Sequence, residues 1–458
     1  MDVDLRSYLN DLRKKGELLE IEEEVDLHYE MTAVFKEVSG EQGGPAVLFK
    51  NVKGHPNKSV VGNLLASRKK MALALGCNVD ELRDTYIKKR FNSLDPVVWD
   101  GPAPVQENVV DKEPDLLSLL PAPLFHKGDS GQFLTAGILI SRDYLSGEQN
   151  IGIHRMQLQG KNLMSAFLSN PPLSEYFKKA EKEGKPLQVA VALGVHPAEM
   201  MAAAVPLKKG IKSKVHLAGG LAGRPVPLVK AKSVDLMVPA LAEIVLEGQL
   251  LPGIRKPDGP FGESTGYYFY AESPVIEVQT VTFRNDPILS LIPPWGIDTE
   301  IIISTFSGAE LWQELNRLIP EVLDVAFLPG ALTFQGVIKV AASLPRHEIR
   351  RLIHLALNLD RRLKHVIIVD EDVDIYNPRE VLWALATRFQ GWRDLISLDN
   401  MEGYVIDPSA ENGLATKLGF DATARPEGPY SDRYRKVALP EDAVSRAREI
   451  IERTKRPQ

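Results

Sequence analysis

Cysteine is almost missing from this chain. Cys77 is the only one in 458 residues, so no disulfide forms within it, and a reducing, cytoplasmic setting is expected. Long apolar runs are missing too. None approaches the roughly 20 residues that a membrane-crossing helix needs. The first residues, Met1-Asp2-Val3-Asp4, are acidic and lack the basic and apolar stretches of a secretory leader. There is no internal repeat and no low-complexity tract. Excess positive charge is absent as well. Lys and Arg number 55 against 61 Asp and Glu, a net charge of −6, so no nucleic-acid partner is expected.

What remains is an ordinary globular composition, 44% hydrophobic and 25% charged, which excludes general disorder. The length is too great for one compact core and predicts two or three domains. The first, residues 1–115, reads as an N-terminal α/β domain. Asp4 is placed to cap a helix through Leu5, Tyr8, Leu9 and Leu12 that ends at Gly16. Strands are expected at 17–25, 46–49 and 58–62, and helices at 29–38 and 68–75. Six prolines between Pro96 and Pro123 hold the next stretch extended and mark a boundary. His126, beyond them, reads as an ordinary loop histidine.

The second domain, 116–305, is mostly strand: 133–141, 151–158, 187–193, 226–229 and 275–284. Helices fit 174–182 and 198–204. The third, 306–458, returns to α/β. Its helices are expected at 311–318, 347–357 and 383–389, and its strands at 322–328, 336–341 and 365–369. The acidic run 370–374 lacks the glycine and final glutamate of a calcium loop and reads as a turn. A charged helix over 440–453 closes the chain and is expected to dock on another subunit.

Two stretches carry chemistry. In Pro257-Asp258-Gly259-Pro260-Phe261-Gly262-Glu263, two carboxylates lie five apart around a Gly-Pro-Phe-Gly turn. A stiff turn that aims two acids at one point suits proton transfer, which needs fixed geometry before it needs any pKa. In Asn150-Ile151-Gly152-Ile153-His154-Arg155-Met156-Gln157-Leu158, a strand pattern presents polar side chains where Val and Ile would serve. An arginine between two carboxylates keeps one ionised and leaves the other free to carry a proton. A third stretch, 207–214, gathers four lysines around Gly210 in an otherwise acidic chain. It reads either as an anion-binding loop or as a solvated surface.

Together these stretches resemble the UbiD family of decarboxylases. The resemblance extends through Leu217–Pro227, Val238–Gly248, Ile368–Asp374, Trp383–Arg388 and Leu418–Thr423, in the family's order. It implies an N-terminal α/β domain, a central split β-barrel like that of flavin reductases, and a C-terminal α/β domain. It implies prenylated FMN as cofactor, a prenyl-FMN synthase as its supplier, and a homodimer or homohexamer. Carried over by position, Arg155, Asp258 (where many members have Glu) and Glu263 are the catalytic triad. Glu263 donates and accepts the proton, Arg155 clamps the substrate carboxylate, and Asp258 pairs with Arg155. Asn150, Gly152, Ile153, His154, Arg155 and Lys214 bind the cofactor. The family also implies a divalent metal, Mn, with K beside it. Yet Leu173 and Lys214 stand where a histidine and a glutamate ligand belong, so no metal ligands are expected unless His216 or His154 serves.

The expected activity is reversible, non-oxidative decarboxylation of an α,β-unsaturated or aromatic carboxylic acid. An FMN-dependent oxidoreductase and a non-catalytic cofactor-binding subunit are the alternatives. The segment 292–296, with Trp295, and 414–418 are candidate pocket walls.

Overall fold

The structure is a computed structural model that describes residues 4–40, 43–207, 210–330, 332–424, 434 and 436–455. Asp4 caps the first helix, Leu5–Lys14, as expected. Its carboxylate accepts the Ser7 N–H at 2.8 Å, and the Ser7 hydroxyl accepts the Asp4 N–H at 3.0 Å. Leu5, Tyr8, Leu9 and Leu12 form its buried face. They share a core with β2 and β3 of a four-stranded sheet, made of β1 (Leu18–Val25), β2 (Ala46–Val52), β3 (Ser59–Gly62) and β16 (Ile288–Ser290). β16 comes from far along the chain and lies parallel to β3. The amino-terminal unit is therefore completed by the central one. Val97–Val98 (β4) joins Pro227–Lys230 (β12) and Met237–Pro239 (β13) in a small sheet.

The central sheet positions the site. Its strands are β5 (Asn108–Asp111), β6 (Phe133–Leu134), β7 (Ile138–Arg142), β8 (Gln149–Ile153), β9 (Met156–Leu158), β10 (Leu163–Ala166), β11 (Leu187–Leu193), β14 (Ile244–Gly262) and β15 (Tyr268–Phe283). The order is β6-β9-β10-β15-β14-β11-β7-β8, every pairing antiparallel, with β5 added beside β15. β8 ends this path and β9 stands next to its other end, yet only His154 and Arg155 separate them. Two residues span at most about 10 Å, so the ends of the sheet must meet. The sheet curls into a half-barrel with Arg155 at its seam, the architecture the resemblance implied. The uniform strands expected over 133–141 and 151–158 are thus each broken in two, because the chain crosses the seam at 135–137 and again at 154–155.

The largest departure from expectation is the long hairpin of β14 and β15. Gly259 and Pro260 suggested a turn between the acids. They form a bulge inside β14 instead, and the reversal lies at 263–267. Asp258 pairs with Ala271 and Phe261 with Phe269, so three steps on one strand match two on the other. Gly259 has φ +106°, a conformation that favours glycine, and a Cβ there would overlap the Phe269 carbonyl. The extra residue has a consequence for chemistry. Side chains five apart on a regular strand face opposite ways. One bulged residue brings Asp258 and Glu263 to the same face.

The 22-residue helix Ile297–Leu318 leads into the third unit and is far longer than the expected 311–318. There β17 (Val322–Phe327), β18 (Gln335–Val340), β19 (His365–Asp370), β21 (Leu414–Asp421) and β20 (Leu395–Glu402) form a sheet in that order. The helix Arg346–Leu359 packs Ile349, Leu352, Ile353, Ala356 and Leu357 into the same core. The acidic turn after β19 is held by the buried Arg388, paired with Asp370 at 2.9 Å and Asp372 at 2.6 Å. The last helix, Glu441–Lys455, leaves Ile450 and Ile451 half exposed.

Candidate active site

Arg155 is buried at the barrel seam and meets both acids. Its Nε donates to Asp258 Oδ1 at 3.3 Å, and its Nη1 pairs with Glu263 Oε1. Three aromatic rings enclose the guanidinium, with centroids 4.6 Å (Phe167), 4.9 Å (Phe261) and 5.1 Å (Phe269) from it. The third nitrogen, Nη2, is buried and has no hydrogen-bond partner. A buried donor without an acceptor is costly, and a carboxylate is the group that a guanidinium fork best receives.

The two acids sit in different surroundings. Asp258 is fully buried and also accepts from the Ser273 hydroxyl at 3.0 Å. Burial pushes its carboxyl above the usual range, against the pull of Arg155 and Ser273. The Glu263 side chain is 15% exposed, and its Oε2 accepts from the Ser264 N–H at 3.0 Å. Solvent therefore reaches the Glu263 side chain and not that of Asp258. From the third unit, Tyr404 comes near enough that Glu263 adds to a phenol pKa raised first of all by burial.

A second group gathers around the strand just before Arg155, at residues 150–154. Asn150 is fully buried and its Oδ1 accepts the N–H of Ile151 at 3.1 Å and of Lys214 at 3.2 Å. Lys214 opens the helix Lys214–Ala222, and its buried Nζ donates to Ala203 O at 2.9 Å. Burial lowers its ammonium pKa to about 8. His154 is buried and lies 3.0 Å from the Phe167 carbonyl through Nδ1, so Nδ1 carries the hydrogen. Burial lowers its pKa to about 4, which keeps it neutral. A Cβ on Gly152 would come within 3.0 Å of His154 Nε2 and 3.3 Å of Leu173 Cδ1. Gly152, His154 and Leu173 thus crowd one spot, and Phe167 links them to Arg155.

The family models decide the identity. The model for the 3-octaprenyl-4-hydroxybenzoate carboxy-lyase Rift-related domain matches residues 97–296, its C-terminal domain 300–422 and its N-terminal domain 9–89. The chain belongs to the UbiD family of decarboxylases. It is 33% identical over 442 residues to a phenolic acid decarboxylase of Bacillus subtilis, covering 92% of each chain. It superimposes with a TM-score of 0.90 on the UbiD-class enzyme HmfF from Pelotomaculum thermopropionicum in complex with FMN. That match has 35% identity and covers 95% of this chain and 97% of that one. An evolved dimeric form of HmfF, in complex with prFMN, matches with a TM-score of 0.87 at 34% identity, over 96% of this chain and 98% of that one.

At two of the positions where the resemblance puts metal ligands stand Lys214, whose ammonium offers no lone pair while protonated, and Leu173, which has no ligating atom. Asn150 Oδ1 already accepts two N–H groups. Among the described residues no group of three or more His, Cys, Asp or Glu could hold a metal ion. His216 turns to the surface, where it meets Asp95 at 3.1 Å. Of the lysine-rich loop, Lys208 and Lys209 lie outside the described residues, Lys212 pairs with Asp95 at the surface, and Lys214 alone reaches inward. Trp295 fills no core. It is 54% exposed, stands beside Gly266 in the hairpin turn, and carries the Lys36 ammonium 4.8 Å over its ring.

Sequence reasoning missed Ser273 and Asp129. Asp129 Oδ1 accepts the N–H of Gly262, the residue before Glu263, and its only signal was an acid between Gly128 and Gly131. Among the described residues no helix is long and apolar enough to cross a membrane.

Proposed function

We propose that this UbiD-family chain catalyses the reversible, non-oxidative decarboxylation of an α,β-unsaturated or aromatic carboxylic acid with prenylated FMN. The observation that carries the reading is the buried, unpartnered Nη2 of Arg155 beside two acids of unequal exposure. Arg155 uses Nη2 to hold the substrate carboxylate, and Asp258 keeps the guanidinium in place from behind. The phenyl rings of Phe167, Phe261 and Phe269 exclude water and strengthen these charge contacts. When bound, the prenylated flavin supplies an electrophilic centre that takes up the electron pair left as carbon dioxide departs. Glu263 gives its proton to the same carbon and is reprotonated from solvent through its exposed edge. In the reverse direction it removes that proton.

The inward cation of Lys214 suits the anionic phosphate of a flavin. Lys214, rather than Mn or K, would neutralise the flavin phosphate, as a point charge with three donors. Asn150 orients it through the backbone amide. Metal analysis of purified holoprotein checks this: no stoichiometric Mn is expected, and one Mn per flavin would overturn it.

The test of the activity is reconstitution by co-expression with a prenyl-FMN synthase, followed by carbon dioxide release from a panel of such acids. Glu263→Gln is expected to retain the flavin while its kcat falls about 10²- to 10⁴-fold, the usual contribution of a general acid. Full turnover by that variant would refute the role given to Glu263.

A further inference from the structure

We infer that Asp129 is a positioning residue for Glu263, through a clasp formed by residues 126–130 over the bulged strand; this rests on the role proposed for Glu263. Glu263 follows directly on β14, so the backbone of Gly262 determines where its carboxylate starts. Asp129 Oδ1 accepts the Gly262 N–H at 2.8 Å, and Oδ2 accepts the His126 N–H at 2.8 Å. The Asp129 side chain is completely shielded from solvent. Beside it, Ser130 N–H donates to the Pro260 carbonyl at 2.8 Å. The Ser130 hydroxyl accepts from Gln157 Nε2 at 2.8 Å, and Gln157 Oε1 accepts the Gly259 N–H at 3.1 Å. Beyond the turn, the Gly128 N–H donates to the Tyr268 hydroxyl at 2.9 Å. The loop therefore holds both strands of the hairpin, on either side of Glu263.

The fit is close. A Cβ on Gly262 would overlap His126 Nδ1, and a Cβ on Gly128 would overlap the Tyr268 ring. His126 Nδ1 is buried without a hydrogen-bond partner, 3.6 Å from Asp129 Oδ2. A bulge is otherwise a weak point in a ladder, since its extra residue has no cross-strand partner. Here the clasp supplies partners to Pro260 and Gly262, and Gln157, held by Ser130, supplies one to Gly259. Glu263 itself is tied to the other strand through its N–H to the Tyr267 carbonyl at 2.9 Å.

The chemistry of Asp129 is specific. Two N–H donors face its two oxygens. An asparagine has one acceptor oxygen, so in either orientation its NH₂ meets a donor. Asp129→Asn keeps the shape and breaks one bond of the clasp, either the one to Gly262 before Glu263 or the one to His126 that braces the loop against that strand.

The experiment compares Asp129→Asn, Glu263→Gln and the double variant as flavin-loaded holoproteins. Readouts are carbon dioxide release, deuterium incorporation into product in D₂O, and flavin content. Asp129→Asn is expected to lower kcat and deuterium delivery about 10- to 100-fold with KM and flavin content little changed, the effect of a displacement near 1 Å. The double variant is expected to be no slower than Glu263→Gln alone, because a residue acting through Glu263 has nothing left to position. Wild-type kcat in Asp129→Asn, or fully additive losses in the double variant, would overturn the inference. Full activity of Glu263→Gln would instead overturn the role of Glu263. Should Asp129→Asn not accumulate folded, Tyr268→Phe removes the clasp's outer bond from an exposed ring. Its expected loss is about twofold to fivefold in kcat, absent when combined with Glu263→Gln; an unchanged kcat would count against the clasp.

Discussion

Arg155 and Asp258 are buried together, so removing one leaves the other without compensation. In Arg155→Leu, Asp258 would keep only the Ser273 hydroxyl. Breaking a buried pair from one side costs about 3–5 kcal/mol. Arg155→Leu is therefore expected to lower the thermal midpoint markedly, and Arg155→Leu with Asp258→Asn to recover most of it. Equal midpoints for the single and double variants would contradict this. The meeting of Arg155, Asp258 and Glu263 was legible in the sequence from polar residues in a strand pattern at 150–158, from two acids around a stiff turn at 258–263, and from the family resemblance that joins the two stretches. Asp129 was not. Its partners are backbone N–H groups of Gly262 and His126, and such donors leave no mark in the residue string.

At the level of elements, local signals told which segments fold but not how they bend. The helix after Asp4 and the strand Leu187–Leu193 were legible because capping and apolar continuity are local properties. The 19-residue strand Ile244–Gly262 was not, since Gly253, Gly259 and Pro260 are turn formers by themselves and only pairing with β15 makes them a bulged strand. The helix Ile297–Leu318 offers a test of its own. Its Asp298 is buried in the amino-terminal unit, where Oδ1 accepts the Leu65 N–H at 2.9 Å. Burial raises its pKa to about 6, with the Lys70 ammonium pulling the other way. Between about pH 4 and 6 the folded chain thus holds a proton that the unfolded chain has lost. The contribution of Asp298 to stability falls as pH rises across that window and is level above it. Asp298→Asn removes this dependence. The stability of the variant relative to wild type is expected to rise by up to about 3 kcal/mol from pH 4 to 6, measured by denaturant unfolding. A difference independent of pH would refute it.

At the scale of the whole molecule, the helix expected over 440–453 is present as Glu441–Lys455. Its Ile450 and Ile451, with Val437 and Leu439 before it, are exposed in the single chain. A second copy of the chain is proposed to cover them. Ending the chain at Lys436 is expected to reduce the molar mass in solution to that of one chain, with little change in thermal midpoint; an unchanged mass would count against that role. The curled sheet is what the rest depends on. It brings two residues at its seam against a hairpin from its middle, and so sets a guanidinium between an enclosed acid and a wetted one.

The most direct measurement is carbon dioxide release by the prenyl-FMN-loaded protein from α,β-unsaturated and aromatic acids, run beside Glu263→Gln with flavin content determined for both. The account predicts turnover of at least one acid by the wild-type chain and a loss of about 100-fold or more in the variant at equal flavin loading. Equal rates in the two proteins would contradict it.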